Sequence, residues 1–219
     1  MSDKPTASWV FDVISPFSYL AFPRLAEVSQ HAQLEVVPVL LAALLEHYGQ
    51  LGPAEIVPKR RFTYRFALWR ARRLGLRMRF PPAHPFNPLA ALRLIIAAGS
   101  DTRAAGTVLD AVFRDGRDVS DPAVIGELAQ LLGVSEPHST LSDPAIKQRL
   151  RDNTSWAASR GVFGVPTLLI GEEIFWGHDA VDMALDYLRQ PADFADPDMR
   201  RADTLPVGVA RRTGQPHRT

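Results

Sequence analysis

Hydrophobic and polar positions recur along this chain with two different periods. Residues 7–13, ASWVFDV, form a short run of large and β-branched side chains, the mark of a buried strand. The next stretch, PFSYLAFPRLAEVSQHA, sets Phe17, Leu20, Ala21 and Leu25 on one side of a helix. Pro23 inside it predicts a kink, because proline has no N–H to donate. LEVVPVLLA (34–42) reads as a second strand, and its Pro38 predicts an edge position or a bulge. Strand, helix and strand in that order predict a parallel pair.

From about residue 41 to 160 the period is helical, in segments near 42–49, 53–75, 87–99, 101–116, 121–133 and 143–161. Glycine stands at or just past most of their ends, where helices prefer it. Within 53–75, Phe62, Phe66, Trp69 and Arg73 follow one another at spacings of four, three and four and share one helical face. The short period then returns: apolar runs at 167–170 and 174–176 flank a GEE turn and predict a hairpin. HDAVDMALDYLRQ closes as a helix with Val181, Ala184, Leu185 and Leu188 on one side. Residues 191–219 are polar and rich in Pro, Arg and Asp, so a poorly ordered tail is expected. The order is that of an α/β thioredoxin-like fold (β-α-β…β-β-α) with a large all-helical insertion domain. Residues 5–42 and 160–190 are expected to form a discontinuous thioredoxin-like domain and 43–159 the insertion.

A chain of 219 residues with 46% hydrophobic content suits one large domain or one domain with an insertion. The formal net charge of +1 gives no bulk attraction to nucleic acid or to a membrane surface, and neither partner is expected. With no cysteine there can be no disulfide framework, no thiolate metal site and no redox chemistry on the protein's own thiols. The six histidines form no HxxxH or HxH pair, so no metal site is expected. The first residues show no signal-peptide pattern, and no run reaches the roughly 18 apolar residues of a membrane helix; a cytoplasmic protein is expected.

Two features carry candidate chemistry. The first is Ser15, which ends the first strand and precedes Pro16. Serine before proline is a good helix start, and Asn87-Pro88, Asp121-Pro122 and Asp143-Pro144 repeat the device, so a plain cap is one reading. Its place after the first strand of a thioredoxin-like order makes a chemical role the other. The two compete, because a hydroxyl bonded to the helix backbone cannot fully serve a ligand. The second feature is 59–79, with nine basic residues and no acidic one. It reads as a nucleic-acid patch, as a solvated helix whose aromatics pack inward, or as a helix that turns a few bases into a cleft; the low net charge argues against the first.

Five stretches carry a family likeness: FDVISPFSYLA (11–21), PAEIVPKRR (53–61), FPPAHPFNPLAALR (80–93), GVFGVPTLLI (161–170) and FWGHDAVD (175–182). Together they resemble the 2-hydroxychromene-2-carboxylate isomerase and kappa-class glutathione transferase branch of the DsbA-like thioredoxin superfamily. Phe-Trp-Gly and Phe-Pro-Pro look more like the isomerase side. Redox members of the superfamily carry Cys-x-x-Cys where this chain has Ser15-Pro16-Phe17-Ser18. The resemblance therefore implies a bound thiol, glutathione, as cofactor, with Ser15 as the catalytic residue that donates its O–H to the sulfur. A charge-assisted bond of that kind contributes roughly 1.5–3 kcal/mol, enough to favour thiolate near neutrality. Nothing in the local sequence supplies the base that a nucleophilic serine would need.

The resemblance also implies a cis bond at Val165-Pro166, with the Val165 backbone pairing with the cysteinyl unit of glutathione. The turn Trp176-Gly177-His178-Asp179 would hold the γ-glutamyl end, with Asp179 on its ammonium group. His178, where many relatives carry Ser or Asn, would make a lesser contact. Lys59 matches an anion-binding lysine that meets either the glycyl carboxylate of glutathione or the carboxylate of the substrate. Gln50, where relatives often have Asn, would line the substrate cleft with Trp69, Phe86 and Asn87, the last also a helix cap. The implied activity is glutathione-dependent cis–trans isomerisation of a small aromatic 2-oxo acid, in a homodimer. A kappa-like transferase, which consumes glutathione, and a non-catalytic thioredoxin-like binding module are the alternatives.

Overall fold

The structure, a computed structural model, describes residues 4–209. Strand β1 (Thr6–Phe11) runs through the middle of a four-stranded sheet. It pairs in parallel with β2 (Gln33–Pro38) and antiparallel with β3 (Thr167–Ile170), which pairs antiparallel with β4 (Glu173–Trp176). Trp9 lies opposite Val36 on one side and Leu168 on the other. Because β1 is covered on both faces, its residues from Ala7 to Phe11 are buried without alternation, Ser8 among them. Ala7, Trp9 and Phe11 enter the main core, and Val10 joins a second cluster with Val39, Leu44, Ala157, Val162 and Val165.

Between β1 and β2 run α1 (Pro16–Ala21), a 3-10 turn (Phe22–Arg24) and α2 (Leu25–His31). The expected kink is therefore a full change of helix type around Pro23. Strand β2 is an edge strand, as Pro38 requires, and stops there rather than running to residue 42. Seven helices follow: α3 (Leu41–His47), α4 (Val57–Arg73), α5 (Leu89–Ala97), α6 (Thr102–Leu109), α7 (Pro122–Leu132), α8 (Pro137–Ser142) and α9 (Pro144–Ser159). A π turn, Asp110–Arg114, extends α6. The helical period does not mark α8, whose one buried side chain is Leu141.

The GEE turn closes the β3–β4 hairpin with Gly171 at φ 61. Helix α10 (Val181–Arg189) then buries Val181, Ala184 and Leu185. The expectation of a poorly ordered tail from 191 does not hold over its first part. A 3-10 turn (Pro191–Ala195) and α11 (Pro197–Asp203) follow, and Phe194 packs on Phe175 and Tyr187 at 6.2 and 5.2 Å. Residues 210–219, the rest of that expected tail, lie outside the described residues. One continuous core joins the sheet to the helical block, Trp9 and Phe11 sharing it with Leu92, Ile95 and Phe113.

On α4 the inward reading of the aromatic stripe is wrong. Ala67 and Ala71 are the buried residues, while Phe62 and Trp69 are 67% and 52% exposed. The small side chains let α4 come close to α1, and the large ones point elsewhere. No helix among the described residues is long and apolar enough to cross a membrane.

Candidate functional site

The loop after β1 is built on Asp12. Its Oδ1 accepts the N–H of Ile14 at 3.0 Å, its Oδ2 accepts the N–H of Leu41 at 2.8 Å, and its carbonyl accepts the N–H of Ser15 at 3.1 Å. The side chain is wholly buried. Burial pushes its carboxyl up to about 7, against backbone hydrogen bonds from Ile14, Leu41 and Val13 that pull it down. Asp12 thus ties the Ser15 loop to the start of α3.

Ser15 caps α1 and is 5% exposed. Its Oγ accepts the N–H of Ser18 at 3.4 Å and donates to the carbonyl of Val165 at 3.4 Å. Asp121, Asp143 and Asp196, three further caps followed by proline, hold their backbone N–H groups at 2.8, 2.7 and 2.7 Å. A hydrogen bond at 3.4 Å is long and weak. Ser15 is therefore a loose cap whose O–H is only lightly engaged, and the two roles read from the sequence compete less than they would at 2.8 Å. Ser18, at the second hydroxyl position, is wholly buried, and its Oγ has no hydrogen-bond partner.

The Val165–Pro166 bond is cis. The carbonyl of Pro166 accepts the N–H of Gly177 at 2.9 Å, and Trp176 pairs with Thr167 across the hairpin. That contact brings the 176–179 turn beside Ser15. His178 stacks on Phe17 at 5.3 Å and 18° and accepts from the Nε–H of Arg70 at 3.1 Å. Burial lowers the pKa of His178, Asp179 raises it and Arg70 lowers it again. The Asp179 side chain is 75% exposed and stands 3.8 Å from His178 Nδ1. The indole of Trp176, also exposed, lies over Gly164 and meets Phe163 at 5.1 Å. Ser15, Val165, Pro166, Trp176, Gly177, His178 and Asp179 thus form one connected group.

The other candidates are spread more widely. Trp69 joins the group through Phe66, which lies 5.7 Å from Trp69, 6.1 Å from Phe17 and 6.3 Å from His178. Lys59 is exposed in the first turn of α4 and makes no ion pair among the described residues. Phe86 packs on His84 at 5.7 Å. Asn87 accepts the N–H of Leu89 at 3.0 Å and so acts as a cap on α5. Gln50 is exposed in the loop after α3, its N–H bonded to the Leu45 carbonyl at 2.8 Å.

The sequence reading missed three residues beneath the site. His84 contacts the carbonyl of Ile14 through Nε2 at 2.7 Å and the hydroxyl of Tyr64 through Nδ1 at 2.7 Å. The Nε2 contact requires a proton on that nitrogen, so in the neutral ring, which burial favours, the one Tyr64 O–H is shared between Nδ1 and the His84 carbonyl, which it meets at 2.8 Å. His84 thereby fixes the residue next to Ser15. Its signal was only a histidine flanked by prolines. Arg70 had none, since nothing in the pattern sets it apart from eight other basic residues between 59 and 79.

Residues 7–189 match the family described as the DSBA-like thioredoxin domain, and the chain belongs to that family. Within it, the chain lies with the isomerase and kappa-class branch. The 2-hydroxychromene-2-carboxylate isomerase of Pseudomonas putida is 32% identical over 183 residues, 79% of this chain and 89% of that one. Glutathione S-transferase kappa 2 of Caenorhabditis elegans is 24% identical over 87% of this chain and 95% of its own. A solved 2-hydroxychromene-2-carboxylate isomerase superposes with a TM-score of 0.75 at 26% identity, over 87% of this chain and 99% of that one.

Proposed function

We propose that the protein is a glutathione-dependent cis–trans isomerase of a small aromatic 2-oxo acid, of the 2-hydroxychromene-2-carboxylate type. The observation that carries this is the Ser15 hydroxyl, held near the Val165 carbonyl by two bonds of 3.4 Å rather than locked as a cap. Relatives that bear the isomerase name support the reaction class.

The residues fit a thiol tripeptide. A lightly engaged hydroxyl suits a thiolate, an exposed carboxylate at Asp179 suits an ammonium group, and an exposed Lys59 suits a carboxylate. Val165 would pair its backbone with the cysteinyl unit, and the 176–178 turn would shelter the γ-glutamyl end. Bound glutathione would supply a thiolate that adds reversibly to the electron-poor conjugated carbon, so that the former double bond can rotate. Ser15 stabilises the sulfur's negative charge, and the neutral His178 adds no competing charge. Phe62, Phe66 and Trp69 line an open cavity of about 500 Å³ beside Phe17, with Arg61 and Arg65 at its edge. Its size suits a small aromatic acid. A reducing compartment rich in glutathione, the cytoplasm, suits this chemistry.

The test is a calorimetric titration of the chain and of Ser15→Ala with glutathione across pH, with turnover followed on 2-hydroxychromene-2-carboxylate. Ser15→Ala should raise the pKa of the bound thiol and slow turnover at least about tenfold, the loss of one charge-assisted bond. Free glutathione should stay constant while product forms; steady consumption would make the protein a transferase. No saturable binding at millimolar glutathione would sink both readings.

A further inference from the structure

His178 is where three parts of the molecule meet. Phe17, from the helix that Ser15 begins, stacks on one face of the ring at 5.3 Å and 18°. Phe66 of α4 meets it edge-on at 6.3 Å, and Arg70, one turn further along α4, donates its Nε–H to Nε2 at 3.1 Å. The side chain is 6% exposed. A nitrogen that accepts from a guanidinium must offer a lone pair, so the proton of the neutral ring sits on Nδ1. Nδ1 is the nitrogen 3.8 Å from the Asp179 carboxylate. One arginine on the helical block therefore sets the tautomer that presents an N–H toward the acid at the start of α10.

We propose that Arg70 and His178 form a latch across the mouth of the Ser15 cleft, and that the latch positions Asp179 to receive the ammonium group of the bound tripeptide. The proposal deepens the reading above and rests on it for the identity of the ligand. His178 and Arg70 are positioning residues, acting through Asp179.

The latch is sensitive to protons. A second proton on the ring would have to go on Nε2, where it would face the Nε–H of Arg70 and place two cations in contact. The charged groups that face the ring are Arg70 from α4 and Asp179 beside it; α1 presents only Phe17. Burial and Arg70 both oppose protonation and Asp179 favours it, so the ring charges below the ordinary histidine value of 6.5. When it does, the Arg70 bond is lost and the link from α4 to the turn opens.

Two measurements on the full chain test this. Long-range nitrogen–proton NMR of the histidine rings should show His178 as the Nδ1–H tautomer at neutral pH, titrating below 6.5. In Arg70→Gln the tautomers should mix and the titration should move up. Glutathione affinity should fall as the pH drops through the His178 titration. In His178→Asn that acid limb should disappear, and in Arg70→Gln binding at neutral pH should weaken about tenfold. An Nε2–H tautomer, or a tautomer unmoved by Arg70→Gln, overturns the latch whatever the ligand. An acid limb that persists in His178→Asn overturns its role in binding. Total absence of glutathione binding sinks the proposed function and the role of Asp179, while the ring measurement still decides whether the latch exists.

Discussion

Asp12 shows how one buried carboxyl shapes the site from beneath. Both its oxygens hold backbone N–H groups, yet burial outweighs those bonds and lifts its pKa to about 7 from an ordinary 3.8. Between those values the folded chain keeps a proton that the unfolded chain releases. Its share of stability is therefore greatest at low pH and is lost as the pH rises from about 4 through about 7. Asp12→Asn removes that titration. Urea unfolding at pH 5 and pH 8 should show a wild-type decline that the variant lacks, on the order of 3 kcal/mol for the two units between pH 5 and a pKa of about 7. Equal declines in both proteins would mean that Asp12 stays charged when folded. The same residue scale marks the limit of reading Ser15: the cap was legible from Ser15-Pro16, but the looseness of its bond depends on where Val165 ends up, 150 positions away.

At the scale of elements, the hairpin and the turn after it set the cleft wall. Gly164 has no side chain because Trp176 lies there; a Cβ would come within 2.6 Å of its indole nitrogen. Gly164→Ala should therefore swing the exposed indole aside at a cost of under about 1 kcal/mol, while changing Trp176 fluorescence and weakening glutathione binding. A destabilisation well beyond that, or an unmoved indole, would contradict the packing. Helix α4 carries the other element-level lesson. A period of four, three and four correctly predicted a shared face for Phe62, Phe66 and Trp69, but helical spacing does not say which face meets the core. Ala67 and Ala71 decided that, because only small residues allow the close approach to α1.

Across the whole molecule, the sheet and the helical block are one packed body. Phe113 of the π turn touches Tyr19 of α1 at 5.8 Å, Phe80 at 5.9 Å and His84 at 6.2 Å. Tyr19 also donates to the carbonyl of Arg77 at 2.7 Å. The site loop therefore leans on residues more than 90 positions along the chain. Phe113→Ala should cost about 3–5 kcal/mol in urea unfolding, as large-to-small changes at buried aromatics do. It should also lower glutathione affinity in protein that remains folded, because α1 and the His84 contact lose their support. Normal affinity in folded Phe113→Ala would show that the site loop does not depend on this packing.

The sequence alone determined the order of the sheet's strands with the helices beside them, a Pro38 that fits an edge strand, the hairpin, the cap at Ser15 and the absence of any thiol of the protein's own. These follow from local rules: a period of two or 3.6, a missing proline N–H, a composition without cysteine. It misjudged 191–203, where Phe194 finds a docking place on Phe175 and Tyr187 that composition cannot reveal. Only the tertiary structure decided which histidines matter, that Arg70 rather than its neighbours reaches the cleft, and that Ser15 is a loose cap. Those outcomes depend on distances between groups far apart in the chain. Such distances are fixed by how whole elements pack against one another, and no local pattern records them.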